Sequence, residues 1–281
     1  MIQQSKASRA FPHVALWIAI VILAFPIYFV FVASTRTSQE IISAPMPIVP
    51  GGHLVENYSR ALLEGAKNLG ASAFTMMKNS FIMAMGIAVG KIVVSLLAAF
   101  AIIFFKFPGR NFCFWAIFIT LMLPVEVRIM PTYKVISDLG LLNTYAGLIL
   151  PMVVSATAVF LFRQFFLSVP REIAEASQID GAHAMQFFRR ILVPMTRTPI
   201  AAMFVIQFIY GWNQYLWPLL ITTKQEYYTL LIGINRMLQG ADVLIEWQIV
   251  MATTMLALIP PALVVVVMQK QFIAGMTDTE K

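Results

Sequence analysis

The chain has 281 residues, 59% of them hydrophobic and only 12% charged, with a formal charge of +7 and a mean hydropathy of +0.79. Globular chains carry about a quarter charged residues, so this one lacks the polar surface to cover a water-soluble fold; a membrane is the better solvent. The basic excess lies between long apolar runs rather than in a dense patch, which argues against nucleic acid, and the lone Cys113 excludes an intrachain disulfide framework or a cysteine-rich metal site.

A helix rises about 1.5 Å per residue and the hydrocarbon layer is about 30 Å thick, so a span needs roughly 20 residues without charges. Six runs meet this pattern, at 14–34, 80–105, 111–125, 145–162, 199–222 and 248–269. They predict an all-α integral membrane protein with one transmembrane domain over residues 1–281. Lys6 and Arg9 before the first run imitate a secretory signal, but the run is longer than an h-region and lacks an A-x-A cleavage site, so it reads as a retained helix. Pro26 inside it is tolerable in lipid when neighbouring groups satisfy the freed carbonyl.

The segment after the first run holds Pro45, Pro47, Pro50, Gly51 and Gly52, which break regular structure, then a helix-compatible stretch at 55–69. The second span contains Lys91. Gly86 and Gly90 before it are separated by three residues where a phosphate-binding loop has four, and Ile92 replaces the required Ser/Thr, so this is no such loop; the two glycines predict close helix packing. With the N-terminus inside, eleven basic residues fall on the cytoplasmic side (Lys6, Arg9, Lys106, Arg110, Arg163, Arg171, Arg189, Arg190, Arg197, Lys270, Lys281) and eight outside. The positive-inside rule therefore places both termini in the cytoplasm.

Between the fourth and fifth spans, residues 163–198 form a cytoplasmic segment. Its first half starts like a helix, with Ser168 a cap and Pro170 in the first turn. Asp180-Gly181 ends it, glycine taking the left-handed conformation and aspartate capping the next helix. A second amphipathic stretch places Phe187, Phe188 and Ile191 at helical spacing before Pro194 stops it. Two short helices meeting at a sharp corner would project from the membrane; the plainer reading is a linker on its surface, with Arg189 and Arg190 toward headgroups.

Glu175-Ala176-Ser177, then Gly181, then Ile191-Leu192-Val193-Pro194 resemble the E-A-A-x3-G-x9-I-x-L-P signature of inner-membrane permease subunits of binding-protein-dependent ABC importers, the maltose-permease-like family. Ser177 replaces the third residue of the triplet and Val193 replaces leucine, both small changes. The resemblance implies a type I importer permease fold with six transmembrane helices, in the bacterial inner membrane. It implies half of a heterodimeric pore, whose partners are a second permease subunit, two ATPase subunits and a periplasmic substrate-binding protein. The chain itself would be non-catalytic and hold no cofactor, ATP and Mg being used by the ATPase subunits. Glu175, Ala176, Ser177, Asp180, Gly181, Ala182, Ile191 and Pro194 would form the loop that couples to the ATPase. Residues 119–166, including Leu123-Pro124-Val125-Glu126-Val127-Arg128-Ile129, and residues 208–219 are similar within that family to importers of sn-glycerol-3-phosphate. That cargo, or a glycerophosphodiester, is implied, with a sugar or other polyol the alternative.

Lys91 is the only ionisable group deep in an apolar span. A charge there costs about 2.5–3.5 kcal/mol on insertion scales, so it should face the bundle interior or water. Its partner is a passing phosphate, an acid of a second permease, or backbone carbonyls at a helix break. Glu126 and Arg128, between Pro124 and Pro131, read as headgroup-level charges or a structural ion pair, or as an external gate or a contact to the binding protein. Trp212, Asn213, Gln214, Tyr215 and Trp217 suit stacking and hydrogen bonding to a polyol, and equally an interfacial aromatic belt. A stand-alone secondary transporter would show internal repeats and acids within its spans, and a membrane enzyme a cluster of His, Asp or Glu. The spans hold no acid, and His13, His53 and His183 are scattered.

Overall fold

The computed structural model describes residues 6–239 and 244–277, with side chains left out at 6–11, 125–126 and 270–277. Lys281 therefore lies outside the described residues, and the side chains of Lys6, Arg9, Glu126 and Lys270 outside the described side chains. The described residues are helical with connecting turns and contain no strand. In chain order they form α1 (Lys6–Ser34), α2 (Ser38–Ile42), α3 (Leu54–Leu63), α4 (Ala73–Phe104), α5 (Arg110–Ile119), α6 (Val125–Asp138), α7 (Tyr145–Ile149) and α8 (Ala156–Ser168). Then come α9 (Arg171–Ile179), α10 (Ala184–Phe187), α11 (Val193–Met195), α12 (Arg197–Trp212), α13 (Leu216–Ile221), α14 (Leu230–Leu238) and α15 (Trp247–Thr277).

Among the described residues, only α1, α4 and α15 contain an unbroken apolar run long enough to cross a membrane. The other three predicted runs are interrupted. The run at 111–125 ends in α5 and a 3-10 turn, and Pro124 starts α6, which continues through a stretch expected to be connecting loop. The run at 145–162 is α7, a 3-10 turn containing Pro151, and α8, with a bend of 50°. The run at 199–222 divides into α12 and α13 around residues 213–215. Proline removes an N–H and its ring clashes with the carbonyl four residues back, so two of these breaks follow from backbone chemistry.

The described residues fall into two compact units, one from residues 6–76 and 233–259, the other from 77–232 and 260–277. In the first, side chains 12–29 of α1 are exposed, Leu23 at 74% and Trp17 at 67%; such a surface needs an apolar surround. The end of α1 is held by polar groups. Asn57 on α3 is buried and donates from Nδ2 to the carbonyls of Ser34 and Arg36, both at 2.9 Å. Thr37 and Glu40 form a capping box on α2. The predicted helix at 55–69 stops early, at Leu63, because Gly65 turns to φ +79° and a Cβ there would meet the Ala71 carbonyl.

The start of α15 is tied to the same unit. Ser38 Oγ pairs with the Gln248 side chain and accepts the Trp247 N–H. Glu246 is ion-paired with Arg60 and accepts the Lys67 N–H at 2.9 Å.

In the second unit, the small residues of α4 receive the bent run α7–α8. A Cβ on Gly86 would lie 2.6 Å from Ile149 Cδ1, and one on Gly90 2.5 Å from Val153 Cγ1. Ser95 donates to the Ser155 carbonyl near that bend. The glycines thus serve packing, as their spacing implied. On the other side Gly211 of α12 meets the α4 backbone, where a Cβ would stand 2.9 Å from Ala84 Cα. At the beginning of α4, buried Asn79 donates to the carbonyls of Glu226 and Tyr228 and accepts the Tyr145 hydroxyl, fixing the stretch before α14.

Burial pushes the Glu246 carboxyl upward, but the Lys67 N–H, the Arg60 hydrogen bond and the charges of Arg60 and Lys67 outweigh it, leaving the pKa below its ordinary 4.5. A depressed carboxylate stabilises the fold above its unfolded pKa and loses that contribution as pH falls through the folded value. Hydrogen exchange, corrected for intrinsic rates, is therefore expected to show residues 54–69 protected at neutral pH and opening only below the ordinary glutamate range. Glu246→Gln should open them at neutral pH and flatten the acid dependence; unchanged protection in that variant would exclude the tether.

Candidate functional site

The signature segment folds as a helix, a corner and a second helix. Ser168 closes α8 instead of capping the next helix, and Pro170 takes the N-cap position of α9. The α9 C-terminus is a Schellman motif: Ala182 N–H bonds to the Ser177 carbonyl and Gly181 N–H to Gln178, both at 3.0 Å, with Gly181 at φ +77°. Nothing lies within 4 Å of a Cβ built on Gly181, so glycine is needed there for its backbone angle and not for space. Asp180 is the C-cap of α9, and the next helix is capped by His183, whose Nδ1 accepts the Gln186 N–H in a capping box. The expectation that Asp180 caps it is corrected: the Schellman turn uses Asp180 inside the corner, and His183 is the first residue free to cap.

Pro194 does not stop the second helix. It sits in the first turn of α11, and residues 188–192 before it widen into a π turn, as the missing proline N–H and its ring demand. Nor does the second half project into solvent. Phe187 and Phe188 are buried against α4, with ring centroids 5.2 Å from Phe104 and 4.9 Å from Phe100 respectively. Leu192 is fully buried and Ile191 packs beside it in the same cluster. What stays exposed is the corner itself: Glu175, Ala176, Asp180 and Gly181 are open, Ala182 is half-buried, and Ile179 presents 86% of its surface. Ser177 faces inward at 4% exposure, its Oγ without a hydrogen-bond partner, which explains why only a small residue stands there.

Lys91, in the middle of α4, is 6% exposed, and its Nζ lies 3.6 Å from the centroid of the Tyr210 ring on α12. It faces the interior as expected, but α4 is unbroken there, and the contact is a cation–π contact in place of carbonyls at a break. Tyr210 carried no charge or spacing signal and could not be paired with Lys91 from sequence. Its carbonyl accepts Gln214 Nε2 at 3.2 Å, so the gap between α12 and α13 begins beside the lysine. Asn213, in that gap, is exposed, and Tyr215 is half-buried.

The two tryptophans belong to neither an aromatic belt nor a stacking site. Trp212 is 3% exposed and stacked on Phe208. Trp217 is 1% exposed, donates to the Gly147 carbonyl, and packs with Met83, Ile87 and Leu148. Arg128 is exposed beside a cleft of about 40 Å³ that it lines with Thr132 and Pro151, room for little more than a water. Among the described residues neither it nor Lys91 forms an ion pair.

The profile of the family described as binding-protein-dependent transport system inner membrane component matches residues 91–278. An sn-glycerol-3-phosphate transport system permease protein of Brucella melitensis is 56% identical over 282 residues, and one of Agrobacterium fabrum 55% identical, each match covering both chains completely. The corresponding Escherichia coli protein is 51% identical, again over the whole of both chains. In fold, the chain is similar to a crystal structure of a bacterial ABC transporter involved in the import of the acidic polysaccharide alginate. The TM-score is 0.83 at 21% identity, covering 97% of this chain and all of that one. With the signature corner formed and two thirds of its length matched, the chain belongs to the binding-protein-dependent transport system inner membrane components.

Proposed function

We propose that this chain is one of two permease subunits of an ATP-driven importer of sn-glycerol-3-phosphate, in a bacterial inner membrane. The observation that carries this reading is full-length identity of 51–56% to permeases named for that transport. The unbroken helices α1, α4 and α15 and three interrupted runs make six crossings, with both termini in the cytoplasm. The chain does no covalent chemistry. A loaded binding protein docks outside, and two ATPase subunits close inside using ATP and Mg.

The geometry supplies the coupling. A short helix ending in an exposed corner, with Ile179 outermost and Glu175 on its open side, fits a groove in the ATPase by its apolar tip and a charge pair. Phe187 and Phe188 link that corner to Phe104 and Phe100 at the end of α4. Displacing the corner therefore moves α4, and with it Lys91. Lys91 at the midplane and Arg128 toward the outer side are cations with no described acid paired to them, arranged for a phosphate to pass; Asn213 and Gln214 offer amides to glycerol hydroxyls. Glu126, two residues before Arg128 in sequence, belongs to the same outer gate.

In a strain deleted for this chain, radiolabelled sn-glycerol-3-phosphate uptake should be lost and restored by the wild-type gene. Gly181→Val, which cannot hold φ +77°, should fail despite normal membrane abundance, while Gly181→Asn, tolerated best in that region, should restore part. Normal uptake in the deletion strain, absent any other glycerophosphate transporter, would remove this cargo from the reading.

Lys91→Met removes a charge that is costly in lipid, so the variant should assemble at least as well as wild type. Uptake should nevertheless fall about tenfold, the scale of one charge-assisted hydrogen bond to phosphate. Full uptake would take Lys91 out of the pathway. In a Cys113→Ser background, an impermeant thiol reagent should label Ile179→Cys only from the cytoplasmic side and Val55→Cys only from outside; the reverse pattern would invert the topology.

A further inference from the structure

A second cationic site lies away from the pathway, where α5 runs beside α8. A cleft of about 370 Å³ opens there, lined by Arg163 and Gln164 of α8 and by Asn111, Phe114, Trp115 and Phe118 of α5. Arg163 is an odd residue for this place. Its guanidinium lies 4.0 Å from the centre of the Phe114 ring, and its Nε is buried with no hydrogen-bond partner. A buried donor without an acceptor costs about 1–3 kcal/mol, so the site is built for an acceptor the chain itself does not supply.

Three further features define that acceptor. The helix facing Arg163 has Gly109 as its N-cap, with no side chain to cap it, so the first-turn N–H groups of a ten-residue helix are without a side-chain cap, and Asn111 of that turn lines the same cleft as Arg163. Lys106 and Arg110, both exposed, flank that end, and residues 93–125 and 145–171 contain no carboxylate. The approach is apolar and aromatic: Phe112 is 77% and Trp115 57% exposed, and Trp115 packs edge-on against Phe118 at 5.5 Å. A cation, a helix start without a side-chain cap and an exposed aromatic wall match a molecule with an anionic head and an apolar tail.

We propose that this cleft binds an anionic phospholipid, its phosphate held by Arg163 with the Asn111 and Gln164 amides, and its acyl chains lying along Trp115 and Phe118. Taking the topology under Proposed function, the lipid belongs to the cytoplasmic leaflet, at the membrane end of the helix that leads into the coupling corner. α8 joins α9 directly through Val169 and Pro170, so a headgroup on Arg163 braces the helix that carries the corner. A guanidinium on a phosphate is charge-assisted and geometrically matched, whereas a neutral or zwitterionic head leaves the positive cluster uncompensated.

The test uses the whole importer, purified from nanodiscs of phosphatidylethanolamine with phosphatidylglycerol and read by native mass spectrometry. The wild type should retain phosphatidylglycerol in preference to phosphatidylethanolamine. Arg163→Met should cut that retention about tenfold and Arg163→Lys less. Equal retention by Arg163→Met, or no preference between the two lipids, overturns the site. Displacement of the lipid by inorganic phosphate alone would reassign it to a soluble anion, and a disulfide between Trp115→Cys and the second permease would show protein covering the cleft instead. If Arg163→Met does not assemble, wild-type protein still decides. Brominated phosphatidylglycerol should quench the Trp115 fluorescence, isolated by subtracting Trp115→Phe, more than brominated phosphatidylethanolamine does; equal quenching refutes the preference. None of these readouts involves transport, so loss of the cargo assignment leaves this result standing, and lipid indifference with normal uptake sinks this site alone.

Discussion

The aromatic clamp between the signature corner and α4 is the contact on which the rest depends. Phe187 and Phe188 carry the corner, Phe100 and Phe104 carry the inner end of a 32-residue helix, and the rings meet at 4.9–5.2 Å. Each aromatic pair contributes about 0.5–1.5 kcal/mol beyond the area it buries. The clamp is thus stiff against displacements of thermal size, while the Schellman turn at Gly181 stays open to its surroundings. A corner that hung in solvent, as amphipathic spacing alone suggested, would move without moving anything else. Buried at its second half and exposed at its first, it has the form the proposed coupling requires, a lever with its fulcrum inside the membrane domain.

Lys91 shows how the same helix tolerates a charge. Placing a lysine at the midplane costs about 2.5–3.5 kcal/mol, and a desolvated cation–π contact returns about 2 kcal/mol. The remainder is about 1 kcal/mol, small beside the stability of a helical bundle. Tyr210 therefore holds the ammonium charged in the interior without neutralising it, as an acid would. A carboxylate partner would bind more strongly and would have to be displaced by any passing anion; a ring gives way at little cost. An aromatic partner in place of an acidic one is thus what the proposed passage of an anion beside this lysine requires.

How much of this was legible in the sequence varied with the physics involved. The straight spans were readable because hydrophobic length is a local property, and the packing role of Gly86 and Gly90 because four-residue spacing puts both on one face. The breaks in the other runs were not, since an apolar run reads the same whether straight or bent, and only Pro124 and Pro151 mark the bends locally. At the signature, the glycine corner was legible from residue type, while the capping role moved from Asp180 to His183 because a Schellman turn consumes one more residue than a simple stop. Trp212 and Trp217 were misplaced for a different reason: an indole reads alike in a belt, a binding site or a core, and only contacts 70 residues away, such as Gly147 for Trp217, separate the three. The partners of Lys91 and Arg163 lie 119 and 49 positions away, beyond any pattern that spacing can carry.

The polar groups of this membrane domain sort by whether the chain satisfies them itself. Asn57, Asn79 and Glu246 are engaged by backbone and side-chain partners of the chain itself, and they sit where loops must be fixed. Lys91 and Arg163 each rest on an aromatic ring. An aromatic face compensates charge without using a hydrogen-bond acceptor, so it stabilises a cation in low dielectric and leaves its donors available. A structural cation gains most from an acid that saturates it, and the chain does supply such an acid to Arg60. Where the same chain supplies rings instead, to Lys91 of α4 and to Arg163 of α8, the cations keep donors that no acid saturates, and the proposed cargo path and lipid site both rest on that feature.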